Sequence, residues 1–147
     1  MKMNWMRVLI GGVVAGVLMF FADGLIHSQL LKHHWEQVMA SMGRKDEDSP
    51  GAMIFFALHD LTKGIAVAWL YAAIRKHFGA GPKTAVLAGL AVWAIMFVIP
   101  FIAEVPIHIY SRHMLLAWTI YELVATAAGG LVAGALYKEG SSAAPAA

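Results

Sequence analysis

Four long runs of apolar residues, separated by short polar segments, dominate the pattern along the chain. Each run is close to the roughly 20 residues that a helix needs to cross a hydrocarbon layer about 30 Å thick. The runs lack the alternation of apolar and polar positions seen in barrel strands, and only helices or closed barrels satisfy every backbone group in lipid. The pattern therefore predicts an all-α protein, a four-helix transmembrane bundle with spans at about residues 5–26, 53–74, 85–103 and 115–137.

The segment between the first two spans has a helical pattern of its own. Apolar residues recur at intervals of three and four between Leu30 and Met42, and Gly43 follows as a C-cap. Tryptophan favours the depth of the lipid headgroups, so we expect Trp35 to lie there. We therefore expect an amphipathic helix at the outer surface, followed by a charged turn at 44–50.

The two ends of the chain and the third span complete the predicted layout. No small-residue cleavage site follows the first run, so we expect a retained span rather than a signal peptide. Pro100 and Pro106 predict a kink or break at the outer end of span three, because proline removes a backbone donor. Residues 1–139 are predicted to form one domain, and 140–147 a mobile tail.

The composition agrees with a membrane protein and excludes several other classes. The chain is 60% apolar and 14% charged, whereas soluble domains average about 45–50% and 25%. These values exclude a disordered chain, a nucleic-acid-binding domain and an ordinary water-soluble enzyme. Cysteine is absent, which excludes disulfides, thiolate metal sites and a cysteine nucleophile.

Lysine and arginine set the expected orientation, since cytoplasmic loops carry an excess of both. The side that holds the N-terminus carries six of these residues against four on the other side. The pattern predicts a multi-pass protein of a bacterial inner membrane with both termini in the cytoplasm.

Ionisable residues lie within the predicted spans, where they are costly and commonly functional. All of them fall in the outer half of the bundle, although neighbouring spans run in opposite directions. Four carboxyl groups accompany one lysine, so they must be protonated, face histidine cations or hold a cation. The predicted ligand or proton site consists of Asp23, His59, Asp60, Lys63, Glu104 and Glu122. Asp23 and Glu122 lie on helix faces that also carry small residues, so these faces should point into the bundle. We expect at least Asp23, Asp60 and Glu122 to converge around Lys63.

Two plainer interpretations of the same residues stay open. Asp60 and Lys63 stand three residues apart on one helix, a spacing that suits an internal ion pair. The whole set could equally be a static hydrogen-bonded network.

A metal site is a further hypothesis. Two carboxylate residues each precede a histidine by four positions, which places both side chains on one side of a helix, as metal ligation requires. The pattern is short and common. No cofactor is predicted apart from this possible metal, whose ligands would be Asp23, His27, His59, Glu104 and His108.

Glycines occupy the opposite, inner half of the spans. Gly12 with Gly16 and Gly130 with Gly134 form pairs spaced by four residues, which allow helices to approach closely. We expect these pairs to pack span one against span four and to close the inner half.

Several stretches together resemble one group of proteins. They are Asn4-Trp5-Met6-Arg7, the GGVVAGV run at 11–17, Asp23, the inner loop at 69–85 and the ELVAT stretch at 122–126. In these stretches the chain resembles a family of uncharacterised small four-span bacterial membrane proteins. The resemblance implies the topology and no activity. The HDLTK segment at 59–63 departs from the apolar stretch expected there.

Three functions are compatible with the sequence. The first is a membrane protein that binds a ligand, a lipid or a partner subunit, including an accessory subunit of a larger complex. The second is a proton-coupled transporter of a small molecule or cation, and the third is a metal-dependent membrane enzyme. The chain has no phosphate-binding glycine loop, nucleophile elbow or HExxH motif, which favours a non-enzymatic role. The expected partners are the lipid bilayer and a second copy or a larger complex, with no nucleic acid.

Overall fold

The computed structural model describes residues 3–44 and 50–139. This part of the chain is helical and contains no strand, so the prediction of an all-α protein is confirmed. The long helices are α1 (Trp5–Leu25), α3 (Pro50–Phe78), α4 (Pro82–Trp93) and α6 (Arg112–Leu136), with the shorter α2 (Lys32–Ser41) and α5 (Ile99–Glu104). Four continuous helical stretches are long and apolar enough to cross a membrane: Trp5–Leu30, Gly51–Phe78, Pro82–Ile107 and Arg112–Leu136.

Local sequence signals explain where three of these helices begin. The side chain of Asn4 accepts a hydrogen bond of 3.2 Å from the backbone N–H of Arg7 at the start of α1. Ser111 does the same for Met114 at the start of α6, at 3.1 Å. Both residues are preferred N-caps, because their oxygens satisfy donors that the helix leaves free. Pro82 opens α4, where its missing N–H costs nothing.

The helices pack around a shared core in a fixed order. Helix α1 contacts α3 and α6, α4 contacts the same two helices, and α3 also contacts α6. Small and medium-sized residues make up most of the core, among them Ala15, Met19, Val67, Ala88 and Ala133. Helices α3 and α6 therefore contact every other long helix, and side chains on them can meet groups from each.

The predicted pairing of the glycine motifs is wrong. Gly12 and Gly16 lie against α3, where a methyl group added at Gly64 would collide with the Gly12 carbonyl and the Gly16 backbone. Gly130 lies against α4, where an added methyl group would collide with the Ala85 carbonyl. A pair of glycines marks a face for close approach without specifying the partner helix.

Other glycines form the contact between the first and last spans. A methyl group at Gly11 would lie 3.2 Å from the Ala133 carbonyl, and one at Gly129 would collide with the Met19 side chain. Gly134, from the predicted pair, faces α4 and α3 instead. A methyl group added there would lie 2.8 Å from the Ala85 side chain and would also meet the Tyr71 ring. The inner half is thus closely packed on all sides, by a different set of contacts from the expected one.

The third long helical stretch changes its helical pitch without breaking. Pro100 cannot donate to the carbonyl four residues earlier, and the chain widens into a π turn at Ala94–Val98 before α5. Pro106 lies in a 3₁₀ turn, Val105–Ile107, which ends at His108 with a left-handed φ of 60°. The expected break is therefore a local change of helical pitch.

The outer end of the bundle, meaning the end opposite the N-terminus of α1, is covered by α2. Helix α1 widens into a π turn at Ile26–Leu30, and α2 follows directly. Leu31, which directly precedes α2, and Val38 on α2 are buried. Of the predicted charged turn only Arg44 and the backbone of Pro50 are described, and the predicted tail at 140–147 lies outside the described residues.

An arginine and two tyrosines close the inner end. The Arg75 guanidinium lies 5.0 Å from the ring centre of Tyr137 and 5.7 Å from that of Tyr71. Its Nε is 3.5 Å from a carboxylate oxygen of Glu139. The Asn4 backbone N–H also donates to the Tyr137 hydroxyl, at 3.2 Å. These contacts join α1, α3 and the segment that follows α6.

Candidate functional site

One lysine lies at the centre of the charged residues. The Lys63 ammonium is 2.8 Å from Asp23 Oδ2, 2.9 Å from Asp60 Oδ1 and 2.9 Å from Glu122 Oε2. Its side chain has no exposed surface, and those of Asp60 and Glu122 are 3% and 2% exposed. The predicted convergence of the three acids on Lys63 is therefore present. We call these four residues the Lys63 centre.

The helices place the three acids by different means. Asp60 lies one turn before Lys63 on α3, whereas Asp23 comes from α1 and Glu122 from α6. Close contact of Gly16 with the backbone of Asp60 brings α1 against α3 at this height. Lysine is long enough to reach carboxylates on both neighbouring helices, so a single cation joins three spans.

The charges of the Lys63 centre do not balance. Three carboxylates accompany one ammonium, and like charges in a medium of low dielectric constant repel strongly. Asp23 is the most accessible member, with 12% of its side chain exposed. Its second oxygen, Oδ1, is buried and has no hydrogen-bond partner within the described residues. The arrangement therefore has the capacity to accept a proton or a second positive charge.

Aromatic side chains separate the Lys63 centre from its surroundings. The Trp118 indole donates a hydrogen bond of 3.3 Å to Glu122 Oε1. The Lys63 ammonium lies 5.3 Å from the ring centre of Phe97, which is cation–π distance. The rings of Phe97 and Trp118 are 6.2 Å apart and inclined by 65°. Neither aromatic residue was among the predicted site residues, although Trp118 stands one helical turn before Glu122.

A cavity of about 130 Å³ lies beside the Lys63 centre. Two predicted site residues, His59 and Glu104, line it, and their side chains form no hydrogen bond or ion pair with the Lys63 ammonium. His59 is 48% exposed, and its Nδ1 is 3.3 Å from Asp60 Oδ1. Glu104 has no hydrogen bond or ion pair within the described ranges 3–44 and 50–139. The other residues of the wall are Met96, Phe97, Pro100, Phe101, Leu115, Trp118 and Thr119.

Three side chains line the cavity and also contact members of the Lys63 centre. His59 contacts Asp60, Trp118 contacts Glu122, and Phe97 lies against Lys63. All three also line the cavity. Any molecule in the cavity would therefore touch residues that touch the Lys63 centre.

A second aromatic group covers the outer side, where α2 meets α6. The Trp35 ring lies 5.8 Å from Trp118 and 5.8 Å from Tyr110, and His27 lies 5.7 Å from Trp35. His34 stacks on His113 at 5.5 Å. These contacts attach α2 to the start of the last span.

The residues of the metal hypothesis are not brought together. His27 donates its Nδ1–H to the backbone carbonyl of Asp23, at 2.8 Å, instead of pairing with the Asp23 carboxylate. His108 is exposed in a left-handed turn. Among the described residues, no three His, Asp or Glu side chains are arranged to hold a metal ion.

Comparison of the chain with protein-family models, with curated proteins and with solved structures finds no match. The resemblance to small four-span membrane proteins stays a prediction.

Proposed function

We propose that this chain is a multi-pass membrane protein that binds a small ligand in the cavity beside the Lys63 centre. The observation that carries the proposal is the sharing of His59, Phe97 and Trp118 between the cavity and the buried charges. A purely structural ion-pair network needs no cavity at its edge. A cavity alone does not need three carboxylates around one lysine.

The arrangement of the two ends supports a site that opens outward. The Arg75 contacts and the glycine contacts close the inner half, and the cavity lies in the outer half. With the excess of Lys and Arg on the side of the termini, the cavity faces away from the cytoplasm. The proposed location is a bacterial inner membrane, with α2 as an amphipathic helix at its outer surface.

Cysteine accessibility tests this proposal, because the chain has no native cysteine. Thr119 lines the cavity, whereas Thr126 is fully buried below it. Both are on α6, and each hydroxyl donates to the carbonyl four residues earlier, at 2.7 and 2.6 Å. Thr119→Cys is expected to react with a small, charged, membrane-impermeant thiosulfonate added outside intact cells, and Thr126→Cys to stay unmodified. Equal, negligible reaction of both variants, or reaction of Thr119→Cys only after permeabilisation, would refute an outward-open site.

Proton-coupled transport is a second candidate, and the charge count favours it. Three carboxylates around one ammonium give the site the capacity to exchange protons. In this hypothesis Asp23 and Glu122 carry the proton, and the pair Asp60 and Lys63 acts as a switch. Transport would also require the closed inner half to open in a second conformation.

An acid pulse applied to proteoliposomes separates transport from binding alone. Transport predicts a protein-dependent change of internal pH that is lost in Asp23→Asn and in Glu122→Gln and kept in Glu36→Gln. Glu36 is the control because its side chain is half exposed on α2, and within the described residues its one ion pair is with His33. Proteoliposomes that respond like empty vesicles, or variants that keep the full flux, would rule the transport hypothesis out.

A further inference from the structure

The wall of the cavity combines aromatic surface with one carboxylate. Phe97, Phe101 and Trp118 supply aromatic surface, and Phe97 and Trp118 meet at an angle of 65°. On the same cavity Glu104 supplies a carboxylate that has no partner in the described part of the chain. Aromatic faces set at an angle, together with one carboxylate, are the recognition chemistry of organic ammonium groups.

The local charge favours a cationic occupant over an anionic one. Glu104 and the Lys63 centre together present four carboxylates against one ammonium. Phe97 already lies at cation–π distance from Lys63, so this aromatic wall accommodates a positive charge. An anion in the same cavity would meet an excess of negative charge.

The size of the cavity limits the occupant to a small group. Its volume of about 130 Å³ is close to the ~150 Å³ of an engineered protein cavity that binds benzene. A methylated or alkylated ammonium group is compatible with that volume, whereas a large amphiphile could insert only its headgroup.

We infer that the cavity binds a small ammonium group, with Glu104 as its counter-charge and Phe97, Phe101 and Trp118 as its aromatic walls. This inference rests on the proposed ligand-binding function and names the class of ligand. The ammonium group belongs either to a free alkylammonium or to the headgroup of a phospholipid, and both present the same chemistry to the cavity.

Titration of the purified protein with tetramethylammonium, followed by calorimetry in a non-ionic detergent, tests the inference. Saturable binding is expected, and tert-butyl alcohol, a neutral compound of similar shape, should not bind. Glu104→Gln is expected to raise the Kd at least about tenfold, because it removes a charge-assisted contact. Phe101→Leu is expected to raise it about threefold or more by removing one aromatic face. Glu36→Gln should keep the wild-type Kd.

Two lipid additions distinguish the sources of the ammonium group. If a phospholipid headgroup is the occupant, added phosphatidylcholine should raise the apparent Kd for tetramethylammonium, and phosphatidylglycerol should not. If a free amine is the occupant, neither lipid should change it. Each of these results supports the ammonium site.

Absence of tetramethylammonium binding by the wild-type protein would overturn the inference, as would an unchanged Kd in Glu104→Gln or equal binding of the neutral compound. Thr119→Cys labelling keeps this failure separate from failure of the proposed function. A reactive Thr119→Cys combined with no ammonium binding rejects only the ligand class. An unreactive Thr119→Cys rejects the open site itself.

Discussion

Replacing Lys63 by methionine is expected to lower the free energy of unfolding by about 3–5 kcal/mol, the cost typical of removing one partner from a buried ion pair. Methionine fills much of the space of the lysine stem and carries no charge. The variant therefore leaves Asp23, Asp60 and Glu122 close together with no counter-charge. Buried, unpaired charges are among the most destabilising changes in a protein.

Equilibrium denaturation in mixed detergent micelles measures this effect. Lys76→Met is the matched control, because Lys76 is exposed in the last turn of the same helix. The Lys76→Met substitution is expected to lower the free energy of unfolding by less than about 1 kcal/mol. A Lys63→Met variant as stable as Lys76→Met would show that the three carboxylates do not depend on the lysine.

The second large effect is expected at Gly64, where the backbones of α1 and α3 are in close contact. A methyl group there would collide with the Gly12 carbonyl and with the backbone of Gly16. Backbone atoms cannot move aside as flexible side chains do, so Gly64→Ala must push the two helices apart. Overpacking of this kind costs about 1–3 kcal/mol. The shift would also move Asp23 away from Lys63, because the two residues stand on the separated helices.

Gly24→Ala is the matched control for Gly64→Ala. Gly24 is a helical glycine of α1, and nothing lies within 4 Å of an added methyl group. The Gly24→Ala variant should have the free energy of unfolding of the wild type or exceed it by up to about 1 kcal/mol, because alanine is the better helix former. The thermal denaturation midpoint in detergent compares the two variants. Equal midpoints for both would contradict the close packing of α1 on α3.

The sequence was sufficient to predict which acids meet Lys63. The rise of 1.5 Å per residue fixes the depth of a residue in a span, and the small-residue stripes indicate the inward face. These two rules placed Asp23, Asp60 and Glu122 at one height, as the structure has them. They give no information on which helices are neighbours, and for that reason the glycine pairs were assigned to the wrong partners.

The five residues of the metal hypothesis are not brought together, because the regular α-helical spacing stops before two of its histidines. Glu104 ends α5, and the 3₁₀ turn and the left-handed His108 that follow destroy the spacing of one α-helical turn. The π turn that follows α1 begins at Ile26, so His27 also lies beyond the regular helix. Phe97 and Trp118 were missed because an apolar residue in an apolar span gives no signal of its own. Their roles depend on the packing of α4 and its π turn against α6.

The most direct test of one charged centre shared by α1, α3 and α6 is a double-mutant cycle between Lys63 and Glu122. The cycle compares the free energies of unfolding of Lys63→Met, Glu122→Gln and the double variant in detergent micelles. Because removing one carboxylate relieves the charge that Lys63→Met leaves uncompensated, the double variant should be more stable than the sum of the single losses predicts, by at least about 1 kcal/mol. Additivity within about 0.5 kcal/mol would contradict a shared centre.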